Sequence, residues 1–205
     1  MMTTRILALA LATAVLTSCI TEGDVEVRQS SGPKKTALEF AHGRVAERVA
    51  QVQYQSGNEL LGTLQELVGY KEVALEPILK ALPDADPRTR ANLLYVLSFL
   101  RRPEAHAALS RSLADEHPVV RYEAASGLIG QGDLSSVPVL ISFLESSDRR
   151  MRYKAFTALS QATGEEFGYD FNSDPVDQEE AIGLWRGWWT ARRRAIILGD
   201  SSASR

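Results

Sequence analysis

Side chains in the middle of this chain recur every 31 positions, and that period constrains the fold more than any other feature. Arg90, Arg121 and Arg152 follow one another at this interval, as do Leu97, Leu128 and Leu159, Ile78, Leu109 and Leu140, and Leu82, Leu113 and Leu144. Self-similarity at periods of roughly 20–50 residues describes stacked supersecondary units that cannot bury their apolar faces alone. Each unit reads as two helices. The first begins near Asp86, His117 or Asp148, four residues before its Arg, with Pro87 and Pro118 next in two copies and Arg149 in the third. Aspartate accepts from unsatisfied amides at a helix start, and proline fits the first turn because it has no N–H to lose. The second helix runs through Leu109 and Leu113, or Leu140 and Leu144. Gly130, Gly132 and Asp133 mark a turn between them.

Helical spacing extends toward the N-terminus. Leu38, Ala41, Val45, Val49 and Val52 recur at three- and four-residue steps from Thr36 onward. Leu60, Leu61, Leu64, Leu67 and Val68 form a second segment closed by Gly69. Val73, Ala74, Ile78, Leu79 and Leu82 form a third, stopped by Pro83. No segment alternates with β-branched enrichment as a strand would. The fold class is all-α.

The stretches DPRTR (86–90), HPVVR (117–121) and DRRMR (148–152) resemble the Asp-Pro-x-Val-Arg signature of HEAT-like repeats. The resemblance covers roughly Leu60 to Gly164 and implies antiparallel helix pairs stacked into an α-α superhelix, in the compact bacterial variety. His117 departs from the usual Asp, which weakens that helix cap. The repeat residues Asp86, Arg90, Arg121, Asp148 and Arg152 are assigned a structural role, with the arginines pairing to acids such as Asp86, Asp115 or Asp148. The tail runs from Thr163-Gly164 through Phe167-Gly168-Tyr169-Asp170 to a helix opened by Asp174-Pro175, with Ile182, Trp185, Trp188 and Trp189 on one broad face. It resembles the ending of some bacterial HEAT-like proteins. Solenoids need atypical ends to cover the last open core, so the tryptophans are expected to cap the stack.

The N-terminus reads as an export signal. Arg5 precedes the apolar run ILALALATAVL (6–16), too short to span a bilayer. Leu16-Thr17-Ser18-Cys19 resembles the lipobox of bacterial lipoproteins, which implies lipid on Cys19 and cleavage after Ser18. Residues 1–18 are then a signal peptide and 19–35 a lipidated tether, containing Ser30-Ser31-Gly32-Pro33. About 16 extended residues reach roughly 55 Å. Residues 36–164 are the repeats, and 165–205 the terminal loop and capping helix. Cys19 is the one cysteine, so packing and no disulfide must hold the domain. Ile20 stands where Asp retains many enterobacterial lipoproteins at the inner membrane, which favours the outer membrane.

The net charge of −3 gives no electrostatic case for nucleic acid, which uses a concentrated basic face. His42, His106 and His117 lie in different segments, and no His-Glu step occurs of the kind on which the di-iron HEAT-repeat hydroxylase relies; no metal site and no cofactor are expected. Asp170-x-Asn172-x-Asp174 starts like a calcium loop, but Pro175 replaces its glycine and Ala181 its bidentate Glu. Gly127-x-x-Gly130-x-Gly132 has the wrong glycine order for a dinucleotide loop and reads as a turn. Arg192-Arg193-Arg194 lies near a helix C-terminus, where the helix dipole favours cations. No small-molecule substrate or catalytic set is evident, and the expectation is a protein that is no enzyme. It would serve as a membrane-anchored interaction scaffold at the bacterial cell envelope. Its partner, an unknown envelope protein, would meet Glu104, Ser110, Arg111, Ser142 and Glu145 on the concave face that the resemblance assigns to the second helices. The alternative is an enzyme or a lyase-like, cofactor-handling HEAT-repeat protein.

Overall fold

A computed structural model describes residues 36–199. The signal, lipobox and tether assignments, Cys19 included, lie outside the described residues. Among the described residues nine α-helices follow one another: α1 (Ala37–Gln51), α2 (Gly57–Gly69), α3 (Leu75–Ala81), α4 (Pro87–Ser98), α5 (Pro103–Ser112), α6 (Pro118–Gly130), α7 (Val137–Phe143), α8 (Arg149–Thr163) and α9 (Pro175–Ile197). There is no strand among the described residues, and no helix there is long and apolar enough to cross a membrane.

Local chemistry sets the helix starts. Thr36 and Glu39 form a reciprocal capping box at α1. Asp86 accepts from the amides of Arg88 and Thr89, and Asp148 from that of Arg150. His117 gives α6 no side-chain cap. Asp115 instead accepts from the His117 amide at 2.9 Å. Gly164 ends α8 in the left-handed region, at φ 76°, where a side chain would be strained. The third N-terminal segment departs from the expected single helix. Lys71 takes φ 51°, so Lys71–Ala74 is a 3₁₀ turn and α3 begins only at Leu75; Pro83 then sits within a further 3₁₀ turn.

The helices form two layers. In the first, α2, α4, α6 and α8 pack in order, the four helices that open the units. In the second, α1, α3 and α5 pack in order and α7 packs on α9. The core falls into two clusters, and α6 feeds both. Val120, Ala124 and Leu128 join the cluster reaching back to α1; Tyr122, Ala125 and Ile129 join the one reaching forward to α9. That double duty explains why α6 is apolar almost all round. Its remaining outward stripe is Val119, Glu123, Ser126 and Gly130. Gly127 lies inside α6 and not in a turn. A Cβ there would come within 2.8 Å of the Ser98 Cβ and 3.1 Å of Leu109, so the glycine lets α4 and α5 approach. The turn after α6 is formed by Gln131, Gly132 and Asp133, with Gly132 at φ 88°, and Gly130 is the last residue of the helix.

The tryptophan helix closes the second cluster. Trp185 is fully buried, while Trp188 and Trp189 are half-buried against it. Phe167 and Trp188 meet the Trp185 ring edge-on, at centroid distances of 4.9 and 5.9 Å. An ion pair between Arg186 and Glu145 at 2.7 Å ties α9 to the residues just after α7.

Candidate functional site

The repeating arginines turn inward. Arg90 donates to the Ala85 carbonyl at 2.7 Å and, through Nε and Nη2, to both carboxylate oxygens of Asp115 at 3.1 Å. Arg121 donates to the carbonyls of Asp115 and Glu116, each at 2.9 Å. Arg152 donates to those of Ser146 and Ser147 and forward to that of Phe171. Each arginine thus stitches the loop before its own helix, and Arg90 and Arg152 also reach the following unit. Ser146 stands 31 residues after Asp115, so Arg121 has no matching acid; its guanidinium lies 5.9 Å from the Phe143 ring centre instead. Burial pushes the Asp115 carboxyl up, but the Arg90 bonds, the His117 amide and the nearby charges outweigh it and hold it below its ordinary value. Among the expected acidic partners only Asp115 pairs with an arginine. Asp86 and Asp148 face the amides of their own helices and are occupied as caps.

The five residues expected to bind a partner do not converge. Glu104, Arg111, Ser142 and Glu145 are exposed and Ser110 is half-buried. Glu104 lines a groove formed with α1 and α3, whereas Glu145 lines another between α7 and α9. Ser142 donates to the Val139 carbonyl at 2.6 Å, and Glu145 is held by Arg186.

A different set was hidden in the same period. Asn92, Glu123 and Lys154 occupy one repeat position on α4, α6 and α8, on the outward stripe of the first layer. Burial raises the Glu123 carboxyl, against the opposing pull of Lys154. No ion pair closes on it among the described residues. The Lys154 ammonium stands 5.2 Å from the Tyr122 ring centre. Burial also raises the Tyr122 phenol, with a hydrogen bond from Ser126 opposing and the Glu123 charge adding. Asn92 Nδ2 is buried without a hydrogen-bond partner, and native proteins rarely leave such groups unsatisfied. A carboxyl that burial raises, beside the charge of a lysine and a phenol, can accept, hold or return a proton. Matching by identical residue type passes over these positions because all three differ.

The histidines remain apart. His42 meets Glu76 at 3.4 Å, His106 meets Asp133 at 2.9 Å, and His117 meets Glu116 at 3.3 Å. No group of three or more metal-ligating side chains occurs among the described residues. Asp170 accepts from the Asn172 amide, which holds its carboxyl low, and Asp174 caps α9.

Two comparisons bear on these faces. A family model described as HEAT repeats matches residues 109–169, from α5 through the loop after α8. Deoxyhypusine hydroxylase-B of Oryza sativa subsp. japonica is 32% identical over 116 residues, which are 54% of this chain and 38% of that protein. The chain therefore spans well under half the length of this relative. The expectation that the protein is no enzyme is corrected by this likeness, since the relative is named as one. The absence of His-Glu steps did not exclude that likeness. What both the stack and the comparisons establish is that this chain carries a HEAT-like repeat domain, an all-α solenoid.

Proposed function

We propose that the domain does enzyme-related work on the outward face of its first helices, with Glu123 at the centre holding a cationic group of the substrate. The observation that carries this reading is the burial-raised Glu123 carboxyl, which closes no ion pair among the described residues and shares its repeat position with Asn92, whose amide nitrogen is buried without a partner. The likeness to an enzyme that acts on deoxyhypusine, an amine-bearing amino acid, supports it. A half-buried carboxylate without its own ion pair gains most from an ammonium ligand, because binding restores the solvation it lost on folding. The test uses the full chain and a peptide bearing deoxyhypusine as the probe. Binding is expected to perturb the amides around Asn92, Glu123 and Lys154, and Glu123→Gln to weaken it by about tenfold or more, the worth of one charge-assisted hydrogen bond. The same substitution should raise thermal stability near neutral pH by removing a charge that burial disfavours. A variant that binds as tightly as wild type, or a probe that perturbs only other faces, overturns the reading.

We also propose that the domain works tethered to the bacterial cell envelope through lipid on Cys19, with outer-membrane placement favoured by Ile20. Leu16-Thr17-Ser18-Cys19 supports this. Several acyl chains hold a protein durably where one holds it marginally. Wild-type protein should take up labelled palmitate and sediment with membranes, whereas Cys19→Ala should remain unprocessed and unlabelled. A wild type that is unlabelled and freely soluble ends this proposal.

A further inference from the structure

The two ends of the second layer carry complementary surfaces. At the beginning, α1, α3 and α5 enclose an open groove of about 740 Å³. Leu38, Val73, Leu75 and Leu79 supply its apolar floor, and Leu38 is 56% exposed. Glu72, Glu76 and Glu104 stand on its rim; Lys80 is the one full cation there, and His42 leans on Glu76. At the other end, the last turns of α9 present Ile197 and Leu198, 72% and 71% exposed, beside Arg193 and Arg194. These two arginines make no ion pair among the described residues, and no acid lies on α9 after Glu180. Nothing in α9's capping role requires this end: Trp185 does the burying, two turns earlier.

We infer that the basic, apolar end of α9 docks into the acidic-rimmed groove of α1, α3 and α5 on a second copy of this chain, so that copies associate head to tail. Leucines face Ile197 and Leu198, and the rim glutamates face Arg193 and Arg194. The contact is heterologous, because the two surfaces differ. Each added copy leaves a groove at one end and an α9 at the other, which gives rings or open chains in place of a closed dimer. Charge reversal at one surface alone sets like charges against each other, and reversal at both restores attraction. The inference does not depend on the role of Glu123, which lies on the other layer.

The experiment is sedimentation velocity of the full chain in neutral detergent, over a concentration series at low and high salt. Wild type should form species beyond the dimer, weakened several-fold as salt rises from about 50 to 500 mM. The variants Arg193→Glu/Arg194→Glu and Glu72→Arg/Glu76→Arg should each sediment as monomers, with helical spectra unchanged. Their equimolar mixture should regain assembly, because each then meets its opposite. Wild type that is monomeric throughout overturns the proposal, as does a mixture that fails to assemble. If the α9 variant instead loses only binding to anionic lipid vesicles while self-association persists, that end serves a membrane surface and the proposal also falls.

Discussion

Trp185→Ala is expected to cost about 4 kcal/mol of stability, the largest loss from any single replacement in the terminal third. The ring is fully buried and is gripped edge-on by Phe167 and Trp188. It fills the space where a further repeat would stack, so its removal leaves a cavity that α9 cannot close without dragging Arg186 off Glu145. Trp185→Phe should cost much less. It keeps most of the volume and removes the indole Nε1, which is buried without a partner. Deleting residues 185–205 should expose the second core cluster and cause aggregation. Urea unfolding of the two point variants checks the order. Equal losses from Ala and Phe would show that the ring's bulk contributes little.

Asp115→Ala should cost about 3 kcal/mol, because it leaves the Arg90 guanidinium partly buried and unpaired. The two side chains are only 18% and 15% exposed, so water screens them poorly. Asp115 also accepts from the His117 amide, at a unit start whose own residue provides no cap. One carboxylate thus joins two units and starts a helix. The pH dependence follows from its lowered carboxyl. The folded form binds its proton less readily than the unfolded chain, so this contribution is fully present above the unfolded value. It disappears as pH falls through the folded one. Asp115→Asn should flatten the acid limb of the stability curve in that window. An unchanged acid limb would mean that the carboxylate's charge does not hold the units together.

The stack itself was legible because identical residues mark its period. Arg90, Arg121 and Arg152 act alike in the structure, each donating to the loop before its helix, and a shared role keeps a shared residue. Asp86 accepts from two amides of its own first turn and Asp148 from one, while the arginine four residues on reaches the carbonyls of the preceding loop, so neither acid pairs with an arginine. The broken third segment was not legible: nothing in the local sequence demands the left-handed φ of Lys71, and the turn that it opens packs on α1. Glu123 escaped notice for a different reason. Its neighbours in the repeat, Asn92 and Lys154, share its position but not its chemistry, so no shared residue marks it. The five residues proposed on the second helices were chosen by spacing alone. Spacing placed four of them on the surface but could not anticipate that Glu145 would be taken by Arg186.

The most direct test of the working face is a carbon-detected NMR titration of the Glu123 side chain in the full chain, free and with the deoxyhypusine-bearing peptide bound. The account predicts a midpoint above the ordinary glutamate range in the free protein, because burial disfavours the charged form, and a downward shift when an ammonium group pairs with it. A free-protein midpoint within the ordinary range, or one that the bound peptide leaves unmoved, would contradict the assignment of Glu123 as the centre of the site.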